Sequence, residues 1–328
     1  MLKLKKGDKI GIFSPSSPAT ATSPKRFARA KAYLENKGFE IIEGSLTGKE
    51  DHYRSGTIQK RAAELNALIR RSDIKMIMST IGGTNSNSLL PYLDYEALKQ
   101  NPKMIIGYSD VTAILLAIYA KTGITVYYGP ALVPSFGEFP PYVDETFQFF
   151  KQVLIDSPNY PFQIPTPAYW SDERMNWEEK TGEKERRPNH WRGIHVGRAR
   201  GRLIGGNLNT MLGFWGSPYM PEIKDGDILL IEDSMKPASQ VEKNFSLLKV
   251  NGVFDRVGGI LLGKHERFDD EGTGKQPIDL LLEVLHGTKC PIIADFDCCH
   301  TQPMLTMPIG ADVEIDADQA TVTLLGQR

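Results

Sequence analysis

Cysteine and histidine are scarce in this chain, an excess of positive charge is absent, and no long apolar run occurs. Each shortage removes a class of function. The 328 residues carry three cysteines, Cys290, Cys298 and Cys299. An odd number with two adjacent is no disulfide framework, which agrees with a reducing compartment. Adjacent cysteines rarely chelate one zinc, and no second Cys-x-x-Cys or His-x-x-His completes a set. His52, His190, His195, His265 and His286 show no ligand spacing, so no metal and no cofactor are expected. A formal net charge of -1 gives no electrostatic ground for binding a nucleic acid polymer or an anionic membrane. The longest apolar helical run, Val111 to Ala120, falls far short of the roughly 20 residues of a membrane span. The apolar stretch behind the basic N-terminus is too short for a signal-peptide core. These absences read as a soluble, unexported, cytoplasmic protein.

What is present is an ordinary globular composition, 41% hydrophobic and 24% charged, in a chain long enough for about two domains. The first half alternates short apolar strands with amphipathic helices. Lys9–Phe13, Phe39–Glu43, Lys75–Thr80 and Lys103–Ile106 read as strands. Pro24–Lys37, with Phe27, Ala30, Tyr33 and Leu34 on one stripe, Thr57–Ser72 and Val111–Lys121 read as helices, the first closed by Gly38 and the last by Gly123. This alternation predicts an α/β fold with a parallel sheet flanked by helices over residues 1–158. Residues 159–198 are proline-rich, then charged, with Trp170, Trp177 and Trp191. They read as a linker and long loop, and loops of that length are commonly functional. A smaller C-terminal α/β domain is expected over 199–328. Its strands are Ile228–Glu232, Gly259–Leu262 and Pro291–Asp295, its helix is Val241–Val250, and an alternating stretch runs from Ala311 to Leu325.

Strand ends carry the candidate chemistry. Ser109, in Gly107-Tyr108-Ser109-Asp110, lies between an apolar strand and an apolar helix. A serine on such a turn sits at the carboxyl edge of the sheet, beside helix N–H groups that could stabilise an oxyanion. It resembles a hydrolase nucleophile elbow, although G-x-S-x-G is not matched; a helix cap is the plainer reading. Ile81-Gly82-Gly83-Thr84-Asn85 also follows a strand. It could bring backbone N–H groups to a ligand, or be a simple turn; it lacks the Lys-Ser/Thr ending of a P-loop. Glu232 ends an apolar strand and could orient a histidine, or be an ordinary exposed strand end. His300 follows another strand and could be a general base. Ser, Glu and His thus occur in an order that a triad can adopt.

Together, Ile81–Asn87, the Gly107–Asp110 elbow, Arg200–Met211, Leu229–Asp233 and His300 before Pro303 resemble the LD-carboxypeptidase family of serine peptidases over nearly the whole chain. The resemblance implies a two-domain hydrolase with Ser109 as nucleophile, Glu232 as orienting acid and His300 as base. It implies the Gly83 and Asp110 N–H groups as oxyanion hole, and a homodimer. Murein-cleaving members typically carry Arg-Gly-Gly-Tyr-Gly at the glycine loop. The Ile81–Asn85 sequence and the tryptophan segment are instead similar to the microcin C immunity branch, which cleaves aminoacyl-nucleotide compounds. There Trp177 would stack on the base, with Gly82, Thr84 and Asn85 also contacting substrate, while Trp170 and Trp191 would pin the loop. A murein peptidase and a non-catalytic binding protein are the alternatives.

Overall fold

The computed structural model describes residues 2–156, 159–287 and 290–326. The strands are β1 (Lys9–Phe13), β2 (Glu40–Glu43), β3 (Ile74–Ser79), β4 (Met104–Gly107), β5 (Val126–Tyr128), β6 (Phe162–Gln163), β7 (Tyr169–Trp170), β8 (Arg187–Pro188), β9 (Arg192–Ile194), β10 (Arg198–Asn207), β11 (Ile228–Glu232), β12 (Gly259–Gly263), β13 (Ile292–Phe296), β14 (Met307–Ile309), β15 (Asp312–Asp316) and β16 (Thr321–Gly326). The first sheet runs β2-β1-β3-β4-β5, all parallel, with β14 antiparallel beyond β5. Its central strands are mostly apolar and buried, as strands covered by helices on both faces are. The second sheet runs β6-β16-β15-β10-β11-β12-β13-β9, with β10 to β13 parallel. This is the expected two-part α/β architecture.

Local signals place the helices. Thr57 caps Ile58–Arg70 by accepting the Lys60 N–H at 3.3 Å. Gly123, at φ 72°, closes Thr112–Thr122. That helix is buried from Thr112 to Ile118 and packs against β4, β5 and β10, so it joins the two sheets. One continuous set of buried side chains runs from Leu4 to Leu324. Among the described residues no helix is long and apolar enough to cross a membrane.

Sequence and structure differ at several elements. The segment read as a linker supplies both edges of the second sheet: β6 pairs with β16 and β9 with β13. β14, from the C-terminal part, completes the first sheet. Edge strands are held by backbone hydrogen bonds, which leave little hydrophobic pattern to read. Helices Tyr142–Lys151 and Pro277–Leu285 were not among the expected elements. The boundary expected at residue 158 lies outside the described residues.

Candidate active site

The carboxyl ends of the first sheet's strands, the start of the 112–122 helix and the ends of β10 and β11 converge on one cleft of about 390 Å³. Ser109 follows the end of β4 after one intervening residue and holds φ 61°. A non-glycine residue in that region stores strain, as a sharp strand-to-helix turn requires. The glycine loop lies against it: a Cβ added at Gly82 would come 3.1 Å from both Ser109 Cβ and the Asp110 nitrogen. Asp110 itself is buried, and its carboxylate accepts from Ser86 Oγ at 2.6 Å, the Ser86 N–H at 3.0 Å and the Asn85 N–H at 3.1 Å. Elbow and glycine loop are therefore one hydrogen-bonded unit.

Glu232 is fully buried at the end of β11. Its Oε2 lies 2.6 Å from His300 Nδ1. Its Oε1 accepts from the Tyr128 hydroxyl at 2.6 Å and from Asn207 Nδ2 at 3.0 Å. Burial alone would raise the Glu232 pKa, but His300, Tyr128 and Asn207 outweigh it and hold the carboxyl below its usual range. Burial likewise presses His300 toward neutrality, and the Glu232 charge outweighs it, so the imidazole is more basic than usual. Asp233, beside them, is pushed up to about 6 by burial and by the Glu232 charge. Tyr108 packs edge-on against the His300 ring, centroids 4.9 Å apart. Ser109 and His300 line the same cleft, without a hydrogen bond between their side chains among those of the described residues. Catalytic contacts of this kind commonly tighten only when substrate binds.

Close approach of the two halves depends on Gly206. At φ 150° it lets β10 pass so near that an added Cβ would meet Thr112 at 2.9 Å and Tyr128 at 3.0 Å. The Asn207 N–H then donates to Thr112 Oγ1 at 3.0 Å.

The opposite wall comes from the tryptophan segment. Trp177 borders the cleft and is 37% exposed. The Arg26 guanidinium lies 4.5 Å from its ring centroid. Arg26 is buried and bonded to Val133 O, Pro134 O and Glu138. Glu138 also accepts from Lys184 at 2.8 Å and Gln302 at 2.9 Å. Burial would raise its pKa, but Arg26 and Lys184 overcome that and hold it at about 2. Trp170 and Trp191 are tied elsewhere. Arg187 lies over the Trp170 ring at 4.3 Å, and Trp191 Nε1 donates to Asp297 at 2.8 Å.

Of the expected substrate contacts, Gly82, Thr84 and Trp177 line the cleft, as do Gly83 and Asp110. Asn85 is not among the residues that line this cleft. Its Oδ1 accepts from Arg61 at 2.6 Å and from Ser16 Oγ at 3.1 Å, facing the body and not the cleft. Arg61 is buried and needs acceptors for its charge, so Asn85 serves the scaffold. Arg26, Glu138 and Tyr128 carry no local signal, because each reaches the site from a distant segment, and Asn207 lies within the Arg200–Met211 motif without having been singled out. Lys236, also in the cleft wall, follows Glu232 by four residues and could have been read from that strand end. Among the described residues no group of His, Cys, Asp or Glu could hold a metal ion.

Residues 10–129 match the LD-carboxypeptidase N-terminal domain and residues 200–315 the LD-carboxypeptidase C-terminal domain. A Vibrio cholerae protein provisionally named a carboxypeptidase is 59% identical, over 97% of this chain and 95% of that one. The microcin C7 self-immunity protein MccF of Escherichia coli is 52% identical, over 98% of this chain and 94% of that one. A solved structure of MccF in complex with aspartyl sulfamoyl adenosine superposes with a TM-score of 0.98 at 52% identity, covering 99% of this chain and 98% of that one.

Proposed function

This chain belongs to the LD-carboxypeptidase family, and from that premise we propose that it is a serine hydrolase that releases an aminoacyl group from a nucleotide-like compound, as a detoxifying or self-immunity enzyme. The observation that carries the reading is His300, bonded to buried Glu232 on one side and sharing a cleft with Ser109 on the other.

In the proposed reaction, His300 takes the Ser109 proton as the hydroxyl attacks the scissile carbonyl. Glu232 fixes the imidazole tautomer and stabilises the imidazolium. The Gly83 and Asp110 N–H groups receive the developing oxyanion. The Ser109 N–H is not counted among them, because it donates to Tyr128 at 3.1 Å. His300 then protonates the leaving nitrogen, and water resolves the acyl-enzyme by the reverse path.

Trp177 offers a ring for the base, with Arg26 on one face. Lys236 forms no ion pair among the described residues and borders the cleft, which suits an acidic aminoacyl group. The likeness to MccF supports both assignments. Cytoplasmic action as a homodimer completes the proposal; sedimentation at twice the chain mass would support the dimer.

The test is parallel hydrolysis of aspartyl sulfamoyl adenosine and a murein tetrapeptide, with Ser109→Ala as control. Cleavage of the adenosine compound alone is the expected result. Cleavage of the tetrapeptide alone would move the enzyme to wall recycling.

A further inference from the structure

We propose that Tyr128 is a positioning residue for this reaction: its hydroxyl ties the backbone of the nucleophile to the carboxylate that orients the base. The inference rests on the roles given above to Ser109, Glu232 and His300, and adds a group that acts through them.

Tyr128 ends β5 and is fully buried. A phenol has one proton to give and lone pairs to receive. The Ser109 amide, 3.1 Å away, can only donate. The Glu232 carboxylate, 2.6 Å away, can only accept. Burial, reinforced by the Glu232 charge, keeps the phenol protonated. The direction of both bonds is therefore fixed: Ser109 N–H to Tyr128 Oη, and Tyr128 O–H to Glu232 Oε1.

Two consequences follow. With Tyr128 and Asn207 on Oε1, the carboxylate cannot rotate freely, and Oε2 is presented to His300. The strained φ of Ser109 is also held by a bond to its own amide. Tyr128 belongs to the first sheet, Ser109 lies on the turn after β4 of that sheet, and Glu232 belongs to the second, so one hydroxyl sets the distance between nucleophile and base across the two sheets.

The donated proton draws charge from Glu232 and so weakens its hold on the His300 proton. Removing it makes His300 more basic, and the acidic limb of reactivity moves to higher pH. A stronger donor moves it lower. Other groups also face this pair. Asp233 and Glu266 favour the protonated imidazole, while Lys236 stands near Asp233. His265 is close enough to interact with both, and burial holds the Cys298 and Cys299 thiols protonated. Cys298 bonds to the Tyr128 backbone carbonyl at 3.4 Å, which a side-chain change leaves in place, so these groups set the starting position of the limb and not its displacement.

The experiment is labelling of Ser109 by a fluorophosphonate from mildly acidic to mildly alkaline pH, which needs no knowledge of the natural substrate. The proteins are wild type, Ser109→Ala, Tyr128→Phe, and a protein carrying 3-fluorotyrosine, a more acidic phenol, at 128. Tyr128→Phe should label about 10–100-fold more slowly, the usual loss for one hydrogen bond to a charged group, with its acidic limb displaced upward. The fluorinated protein should show the limb displaced downward. Limbs that stay in place in both would make Tyr128 a packing residue and overturn the proposal. If the Phe variant does not fold, the fluorotyrosine displacement decides alone. Labelling of Ser109→Ala at the wild-type rate would instead overturn the reading of the site itself.

Discussion

The two walls of the cleft are built from the same kinds of residue and held in opposite ways. The Ser109 wall keeps its polar groups inside. Glu232, Tyr128 and Asp110 are buried, and each has partners at hydrogen-bond distance. Behind the tryptophan wall, away from the cleft, charges lie outside. Lys25 meets Glu179 and Lys180 meets Glu183 with these side chains 44–70% exposed. Buried, fully partnered groups cannot move without losing bonds that water would not replace. Exposed ion pairs exchange with water at little cost. The wall assigned to chemistry is thus rigid, and the wall assigned to recognition is adjustable. Glu138 is the exception that joins them: buried, it fixes Arg26 beneath Trp177 and also holds Lys184 and Gln302.

The comparison can be broken most decisively at Ser109. Ser109→Ala should lower kcat by about four powers of ten or more, with KM little changed; near-normal turnover would remove the chemistry from this wall. Glu138→Ala should come next. It leaves buried Arg26 without its carboxylate, a loss of about 3–5 kcal/mol of stability, read by denaturant unfolding. A loss confined to KM would mean that the hub serves recognition only. Trp177→Ala should raise KM for a nucleotide substrate about tenfold or more and leave a murein peptide unaffected; equal loss on both would deny the ring a role in base stacking.

The pH dependence sharpens the rigid side. His300 must be neutral to accept the serine proton, and Glu232 raises its pKa. The acidic limb of kcat/KM should therefore lie above the ordinary histidine value of about 6.5, with activity falling roughly tenfold per pH unit below it. A limb below that value would mean that burial outweighs the Glu232 charge. The smallest effect belongs to the adjustable side. Raising salt to about 1 M, where charges are screened within about 3 Å, should alter KM by no more than a few-fold and leave kcat unchanged.

The fold was largely legible because its signals are local. β1, β3 and β4 are apolar runs with turn residues at their ends, and the 112–122 helix announces itself by composition and a closing glycine. The Ser109 elbow could be read for the same reason, since strand, turn and helix are consecutive. The edge strands β6, β9 and β14 could not, because their pairing partners lie far away in sequence. The bond from Arg61 to Asn85 was equally illegible, because Arg61 sits on a separate helix.

The sequence by itself determined the family, the α/β alternation and the strand ends at which Ser109, Glu232 and His300 stand, since periodicity, turn chemistry and motif order are properties of neighbouring residues. Only the tertiary structure decided which of those ends meet. Glu232 and His300 lie 68 positions apart, and Tyr128 and Glu232 lie 104 apart. Glu232 and His300 meet because β11 and β13 lie parallel in one sheet, and Tyr128 reaches Glu232 where Gly206 lets β10 pass within contact of Thr112 and Tyr128. Approach of that kind depends on packed volume between sheets, which no local run of residues encodes.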